Sequence, residues 1–320
     1  MAHDLEMKNG QASMFYVGQT PWHNLGQRFI TPPTTEDALE AANLNWEVGM
    51  RPLFNEKGVK STHQEIYRGD SGQTLGVVGP QYHPLQNTQA FGFFNPLVQD
   101  GTLSYETAGV LQDGKKVWIL AKVAGAPIEI ARDDVVERYV LLSNSHDGTM
   151  AIRVGYTPIR VVCQNTLAMS INATDSKLLR IRHTTNANTA LGEIRKVMLM
   201  SEGAFQTTAE QYRRLTTMSV NESDLKKYVR LVFGLKSEED AKRESKAMER
   251  VLYLFENGRG NDLPAIKGTA WAAYQACTEY MQYEAGRSEA GRLNSLWFGQ
   301  NASRNKDALN QALIIFDKAA

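Results

Sequence analysis

The chain has 320 residues, of which 42% are hydrophobic and 22% are charged, and its formal net charge is zero. This composition is ordinary for a globular protein with one large or two average domains, and the chain is long enough to bury a substantial core. A net charge of zero gives no global electrostatic attraction to nucleic acid or to a membrane surface, so composition alone indicates neither partner.

The cysteine content and the hydropathy pattern define the expected environment of the chain. Cys163 and Cys277 are the only cysteines, and two such distant residues form neither a disulfide framework nor a zinc site. No run of about 18 apolar residues occurs, and residues 1–16 lack the apolar segment of a signal peptide. We therefore expect reduced thiols, no membrane partner and a location in the cytoplasm of a bacterial host cell.

The first hundred residues combine short strands with two predicted helices. After a polar arm over 1–30, Thr34 or Thr35 caps a short helix that carries Glu36 and Asp37 in its first turn. Alternation of apolar and polar residues predicts three strands, and helical spacing predicts a second helix. The strands are expected at 46–53, 63–67 and 74–78, and the second helix at 86–98.

Two strand pairs follow, each folded on a turn that contains Asp-Gly. In the first pair, over 102–123, Asp113-Gly114 lies between alternating apolar residues, which is a strong hairpin signal. In the second pair, over 137–163, the turn contains His146-Asp147-Gly148. Pro158 places the return strand at a sheet edge or kinks it. A helix is predicted at 164–171.

Beyond about residue 172, strand signals fade and apolar residues recur at helical spacing. Helices are predicted from about 190 to 215, at 221–233, after the Ser237 cap, at 269–283 and at 306–318. The sequence therefore predicts an α+β fold, with an antiparallel sheet and packed helices in an N-terminal domain (1–175) and a helical C-terminal domain (176–320).

Motifs of known enzymes are absent from the sequence. It contains no glycine-rich dinucleotide-binding motif, P-loop, nucleophile elbow or paired-histidine zinc motif. His146 beside Asp147 could orient an imidazole, but a turn aspartate is expected to bond its own backbone two residues on. Cys163 follows an apolar strand and is expected to be a buried thiol. We therefore predict no catalytic residue, no cofactor and no metal.

One acidic cluster keeps an enzymatic alternative open. Asp133, Asp134 and Glu137 stand close together in the sequence, and metal-dependent nucleases use such carboxylates. Together with Asp147 they would be the candidate ligands of a nuclease or another DNA-modifying enzyme. A solvated turn is the simpler interpretation of the cluster.

Basic and aromatic residues alternate in the strand pairs, as they do in proteins that bind single strands. Trp118 follows two lysines, Tyr156 lies between two arginines, and a further basic run spans 177–183. Trp118 and Tyr156 are equally consistent with core packing, and we expect Trp118 to be buried. The residues predicted to contact phosphates are Lys115, Lys116, Arg153, Arg160, Arg180 and Arg182.

Several short blocks occur in an order that resembles an uncharacterised phage- and plasmid-borne protein family of unknown function. They are TPWHNLG (20–26), VGPQY and PLQN (78–87), YETAG (105–109), NSHDG (144–148), PIRVVCQNTL (158–167), GTAW (268–271), TEY (278–280) and WFG (297–299). The resemblance covers nearly the whole chain. It implies an origin in a mobile element and a setting among DNA-processing genes, but no defined reaction.

The order of predicted elements is also similar to the β-β-β-α core of phage single-strand annealing recombinases. Fold alone does not determine function, so this similarity is only an analogy. The leading hypothesis is a homo-oligomeric protein that binds or anneals single-stranded DNA in phage or plasmid replication and recombination, without catalysis. The alternatives are the metal-dependent nuclease and an interaction protein that counters host defence.

Overall fold

The computed structural model describes residues 5–18, 25–160, 165–166, 179–187, 205–234, 241–286, 292, 295–296 and 299–317. Within these ranges the fold is α+β, with strands in the N-terminal part and helices in the C-terminal part, as the sequence predicts. The strands are β1 (Met7–Lys8), β2 (Gln11–Ala12), β3 (Met14–Val17), β4 (Gln27–Phe29), β5 (Val48–Phe54), β6 (Lys60–Arg68), β7 (Thr74–Val78), β8 (Leu103–Leu111), β9 (Lys116–Val123), β10 (Ile128–Ala131), β11 (Asp134–Ser145), β12 (Ile152–Arg160), β13 (Asn165–Thr166) and β14 (Leu179–Ile181).

A nine-stranded sheet forms the centre of the N-terminal part. Its main path runs β13-β12-β11-β9-β8-β3-β4, with β10 beside β11 and β14 beside β12. All pairs are antiparallel except β3 with β4. Both predicted hairpins are confirmed, because β8 pairs with β9 and β11 pairs with β12.

One face of this sheet carries the larger N-terminal core. Helix α1 (Thr35–Ala41) begins at Thr34, whose Oγ1 accepts the Asp37 N–H, and helix α2 (Asn87–Gln99) packs its apolar stripe on β8. The ring of Tyr105 lies 5.4 Å from that of Phe91 and 6.1 Å from that of Phe94. A separate three-stranded sheet, β5-β6-β7, adds Ile66 to the same core.

The opposite face of the central sheet carries a smaller apolar cluster around Trp118. Only 2% of Trp118 is exposed, and it contacts Leu120, Leu141 and their neighbours on this face. Gly109 lies directly opposite Trp118 on β8, and a Cβ atom at Gly109 would come within 2.4 Å of the indole ring. The expectation that Trp118 belongs to the core is confirmed.

Helices make up nearly all of the described C-terminal part. They are α3 (205–216), α4 (Glu222–Phe233), α5 (Ala241–Asn257), α6 (Ala270–Glu279), a π-helical turn (Tyr280–Glu284) and α7 (Gln300–Asp317). Asn221 and Thr269 cap α4 and α6, and Gly234 ends α4 in the left-handed conformation. Their buried faces form one core around Trp271, Tyr212 and Tyr228. Among the described residues after 190, the only β pairing is a bridge between Ser219 and Thr269.

The helical core also includes the far end of β11. Trp271 donates its indole N–H to the buried carboxylate of Asp134 at 2.7 Å. Val136 packs into the helical core, and the guanidinium of Arg138 lies 5.7 Å from the ring centroid of Phe205. Because β14 follows residue 175 and still pairs with β12, the sheet continues past the predicted division at 175/176. That division of the chain stays a prediction.

The helix predicted at 164–171 is not seen where the structure describes this segment. Asn165 and Thr166 form β13, which pairs with the end of β12, while 161–164 and 167–178 lie outside the described residues. Pairing with an open strand edge here outweighs local helical propensity. Pro158 pairs with Arg138 of β11, and on the other side of β12 no described strand pairs with residues 155–158.

Candidate nucleic-acid interface

The turn between β11 and β12 organises one end of the central sheet. The Asp147 carboxylate accepts hydrogen bonds from the Thr149 backbone N–H at 2.9 Å and from the Ser145 hydroxyl. Gly148 follows with φ of 77°, which a side chain would strain. The prediction that Asp147 bonds the backbone two residues on is confirmed, and Asp147 is therefore engaged in shaping the turn.

Strand register brings two of the predicted cations side by side at this end. Arg153 is the partner of Ser143 on β11 and of Arg180 on β14. Directly opposed residues of antiparallel strands project from the same face about 5 Å apart. Because Ile152 and Val154 pack into the larger core, Arg153 and Arg180 project from the opposite face, which also carries Trp118.

Arg153 is a half-buried cation whose neighbour has the same charge. Burial lowers the pKa of Arg153, and the charge of Arg180 lowers it further. Its Nε atom is buried and has no hydrogen-bond partner, and no ion pair joins it to a carboxylate within the described part of the chain. A buried donor without an acceptor, beside a second cation, is a site that an anion would stabilise.

Further predicted cations lie at the same end of the sheet. Lys116 begins β9 in register with Ser145, and Lys115 precedes it in the β8–β9 turn. Burial acts to raise the pKa of Asp147, but hydrogen bonds from Ser145 and Thr149 outweigh burial, Lys116 adds to their effect, and the pKa is lowered. Arg182 is exposed just after β14. We call this group the cationic corner: Lys115, Lys116, Arg153, Arg180 and Arg182.

Arg160 does not belong to the cationic corner. Its backbone pairs with Val136, at the opposite end of β12 from Arg153. Strand β12 rises about 3.3 Å per residue, so roughly 20 Å of strand separates the two positions. The structure thus brings together all the predicted phosphate contacts except Arg160.

The carboxylates proposed for a nuclease are not brought together. Asp133 is exposed in the β10–β11 turn, whereas Asp134 is buried against Trp271. Glu137 accepts hydrogen bonds from Lys122 at 2.6 Å and Tyr139 at 2.7 Å. Asp147 lies at the other end of β11. Within the described ranges no group of three or more His, Cys, Asp or Glu side chains could hold a metal ion.

A buried polar network behind the turn was not anticipated from the sequence. His146 is fully buried, and its Nε2 lies 3.0 Å from Oδ1 of Asn87 at the start of α2. Burial lowers the pKa of His146 to about 3, so the ring is neutral. Asn144 extends the network towards the Leu85 carbonyl at 3.4 Å. Consecutive polar residues at the end of an apolar strand were the available signal, and the network fixes the turn to α2.

Glu106 is a second residue whose setting the sequence did not reveal. It lies at a bulge in β8, where the register with β9 shifts between Tyr105 and Thr107. Burial raises the pKa of Glu106 to about 7; Lys122 opposes this shift and Glu137 adds to it. The central sheet thus contains a carboxyl group, that of Glu106, with a pKa near neutral pH. Glu106 lies away from the cationic corner along the strands.

Cys277 is a buried free thiol in α6, and burial raises its pKa well above the ordinary range. Cys163 lies outside the described residues. No described helix combines the length and apolar character that crossing a membrane requires.

Comparison with known proteins identifies one family. Residues 74–313 match the family described as Domain of unknown function (DUF932). This match includes both hairpins, the cationic corner and most of the helical part. No curated protein and no solved structure matches the chain significantly. The family assignment carries no phage, plasmid or recombinase association with it.

Proposed function

The chain belongs to the family described as Domain of unknown function (DUF932), and we propose that it binds single-stranded DNA through the cationic corner. The protein would act as a homo-oligomer that holds or anneals strands during replication or recombination of a phage or plasmid, without catalysis. The phage or plasmid setting rests on the sequence resemblance alone.

The observation that carries this proposal is the opposed pair Arg153 and Arg180. Folding places two guanidinium groups together, one of them half-buried, although like charges directly opposite destabilise a sheet. Such an arrangement is stabilised by a bound anion, and a phosphate oxygen matches the geometry of a guanidinium group. Lys116 and Arg182 extend the positive charge along the same edge.

A zero net charge is compatible with this local site. Charges separated by more than about 8–10 Å are largely screened at physiological salt, so the cationic corner governs the potential close to it. Binding through phosphates leaves the base edges free, and free base edges can pair with a complementary strand. This is the physical basis on which a phosphate-binding protein could anneal strands.

A filter-binding assay with single- and double-stranded oligonucleotides at two salt concentrations tests the proposal. We expect tighter retention of the single strand and a steep loss of affinity as salt rises. Lys115→Ala and Lys116→Ala should weaken binding. The matched control is Arg132→Ala, because Arg132 is 89% exposed and lies in the β10–β11 turn, away from the cationic corner.

The same assay separates the alternatives. Absence of binding at low salt would contradict the proposal and favour an interaction protein that counters host defence. Cleavage of either oligonucleotide after addition of Mg²⁺ or Mn²⁺ would favour the nuclease. Equal losses in the Lys116→Ala and Arg132→Ala proteins would show that binding is nonspecific and does not use the cationic corner.

A further inference from the structure

A small pocket lies beside the cationic corner, between the start of α2 and the segment after β14. Its volume is about 260 Å³. Apolar walls come from Pro84, Leu85 and Ala187, and polar groups come from Gln89, Thr184 and Thr185. Pockets for drug-sized ligands measure roughly 300–1,000 Å³, so this pocket suits a group smaller than a typical drug.

The walls of the pocket are held by contacts with the β11–β12 turn, which lies at the same end of the sheet as the cationic corner. The His83 backbone N–H donates to the His183 carbonyl at 3.0 Å, which joins the two walls. The His183 ring stacks on Tyr82 at 4.5 Å and lies 3.2 Å from the Met150 carbonyl through Nε2. Tyr82 donates its hydroxyl to the Ser145 carbonyl at 3.0 Å. The pocket is therefore preformed and held in register with the β11–β12 turn.

Within the described ranges, the polar groups of the pocket have donors that no protein group uses. Gln89 uses Oε1 to accept the Gln86 backbone N–H, which leaves its amide N–H groups free to donate. The hydroxyls of Thr184 and Thr185 make no hydrogen bond within the part of the chain that the structure describes. Amide and hydroxyl groups can donate to or accept from the edge of a nucleobase, while the apolar walls cover its faces.

We propose that this pocket receives one nucleobase of the strand whose phosphates contact Arg180 and Arg182, an inference that rests on the proposed function. Arg182 precedes Thr184 by two residues. Because Arg180 projects from the face that carries Trp118, whereas Leu85 and Ala187 belong to the larger core on the other face, the strand passes around β14 to reach the pocket. One base is held there, and the bases on either side remain free to pair.

The test compares two oligonucleotides of about 16 nucleotides, the largest site that one OB-fold domain covers. One is oligo-dT, and the other has the same phosphates but tetrahydrofuran abasic residues in place of every nucleoside. We expect the unmodified protein to bind oligo-dT about 5-fold more tightly, which is the lower end of what one stacked base contributes, because the apolar walls are aliphatic. Thr185→Leu, which fills the pocket, should remove most of this difference and leave binding of the abasic strand unchanged.

Thr184→Val is a second variant that removes a hydroxyl with little change in shape. It should lower affinity for oligo-dT only. Thr102→Leu is the control, because Thr102 is exposed and does not line the pocket. Equal binding of the two oligonucleotides by the unmodified protein would overturn the pocket proposal and leave phosphate binding intact. Failure to bind either oligonucleotide would overturn both proposals.

Discussion

Two partly buried arginines in this protein have opposite surroundings. Arg68 is enclosed by Glu6 and Asp70, which accept its hydrogen bonds, and its guanidinium lies 4.3 Å from the Trp46 ring centroid. Burial acts to lower the pKa of Arg68, but the hydrogen bonds that its guanidinium donates to both carboxylates outweigh burial, and the pKa is raised. Arg153 has Arg180 as its charged neighbour, and its pKa is lowered.

The difference shows what each arginine does in the fold. Arg68 connects the N-terminal arm to β6, because it donates to Glu6, which also accepts hydrogen bonds from Ser13 and Asn43. Among the residues that the structure describes, Arg153 makes no comparable connection. A cation that folding leaves beside another cation is suited to an anion from outside, and this contrast predicts opposite outcomes for substitutions at the two sites.

Removal of Arg68 should have the largest effect on stability. Arg68→Leu leaves Glu6 buried without its partner, and breaking a buried ion pair costs about 3–5 kcal/mol. Chemical denaturation, followed by circular dichroism, measures the loss. Arg132→Leu is the control, because Arg132 and Asp133 are 89% and 74% exposed and the loss of such a pair should change stability little. A similar small change for Arg68→Leu would contradict the structural role.

Loss of the Trp118 side chain should lower the free energy of unfolding about as much as loss of Arg68. Trp118 is the cross-strand partner of Ser143, on the same face of the sheet as Arg153, yet its side chain is buried. Trp118→Ala should cost about 3–5 kcal/mol of stability through the cavity that it leaves. Thermal melting and single-strand affinity should be measured on one preparation. An unchanged melting temperature with lost affinity would show instead that Trp118 stacks on bases.

The sequence predicted the local elements well because their signals are local. Asp113-Gly114 and His146-Asp147-Gly148 marked both hairpins, and Thr34 and Thr269 mark helix starts that the structure confirms. Apolar periodicity located the helical C-terminal part. Each of these features depends on residues within a few positions of one another, so no knowledge of distant contacts was needed.

The sites depended on contacts that the sequence does not reveal. Arg153 and Arg180 were both predicted to contact phosphates, but their pairing depends on the register of β14 against β12. Arg160 was assigned with them because it is close in sequence, whereas strand length places it at the other end of the sheet. The partner of His146 is Asn87, which is distant in sequence and reaches it only through the packing of α2.

Substitution of Glu106 should change stability by an intermediate amount, and this change should depend on pH. Because burial raises its pKa from 4.5 to about 7, folding favours the protonated form, and the associated stability is present below about pH 5 and is lost as pH rises through 7. Glu106→Gln should therefore raise stability at pH 8 by about 2 kcal/mol and change it little at pH 5. Denaturation at both pH values tests this.

The control for that experiment is Glu129→Gln, since Glu129 is exposed on β10. It should retain the pH dependence of the unmodified protein. An equal change in stability at pH 5 and pH 8 for Glu106→Gln would contradict burial as the source of the shift.

Substitution of Arg180 should have the smallest effect on stability, and it should make the protein more stable. Arg180→Ala relieves the repulsion of Arg153 and should raise the free energy of unfolding by about 0.2–1 kcal/mol in the absence of DNA. Denaturation at low salt measures this gain, which should shrink at high salt as the charges are screened. A clear loss of stability would mean that Arg180 has a structural partner.

The most direct test of the central claim is the salt dependence of single-strand binding by the Arg180→Ala protein. If the opposed arginines hold phosphates, the slope of log affinity against log salt should fall by about 0.7 for the contact removed. Affinity should drop although the Arg180→Ala protein is slightly more stable than the unmodified protein. Arg132→Ala should keep the slope of the unmodified protein. An unchanged slope for Arg180→Ala would contradict the assignment of this arginine pair to phosphate binding.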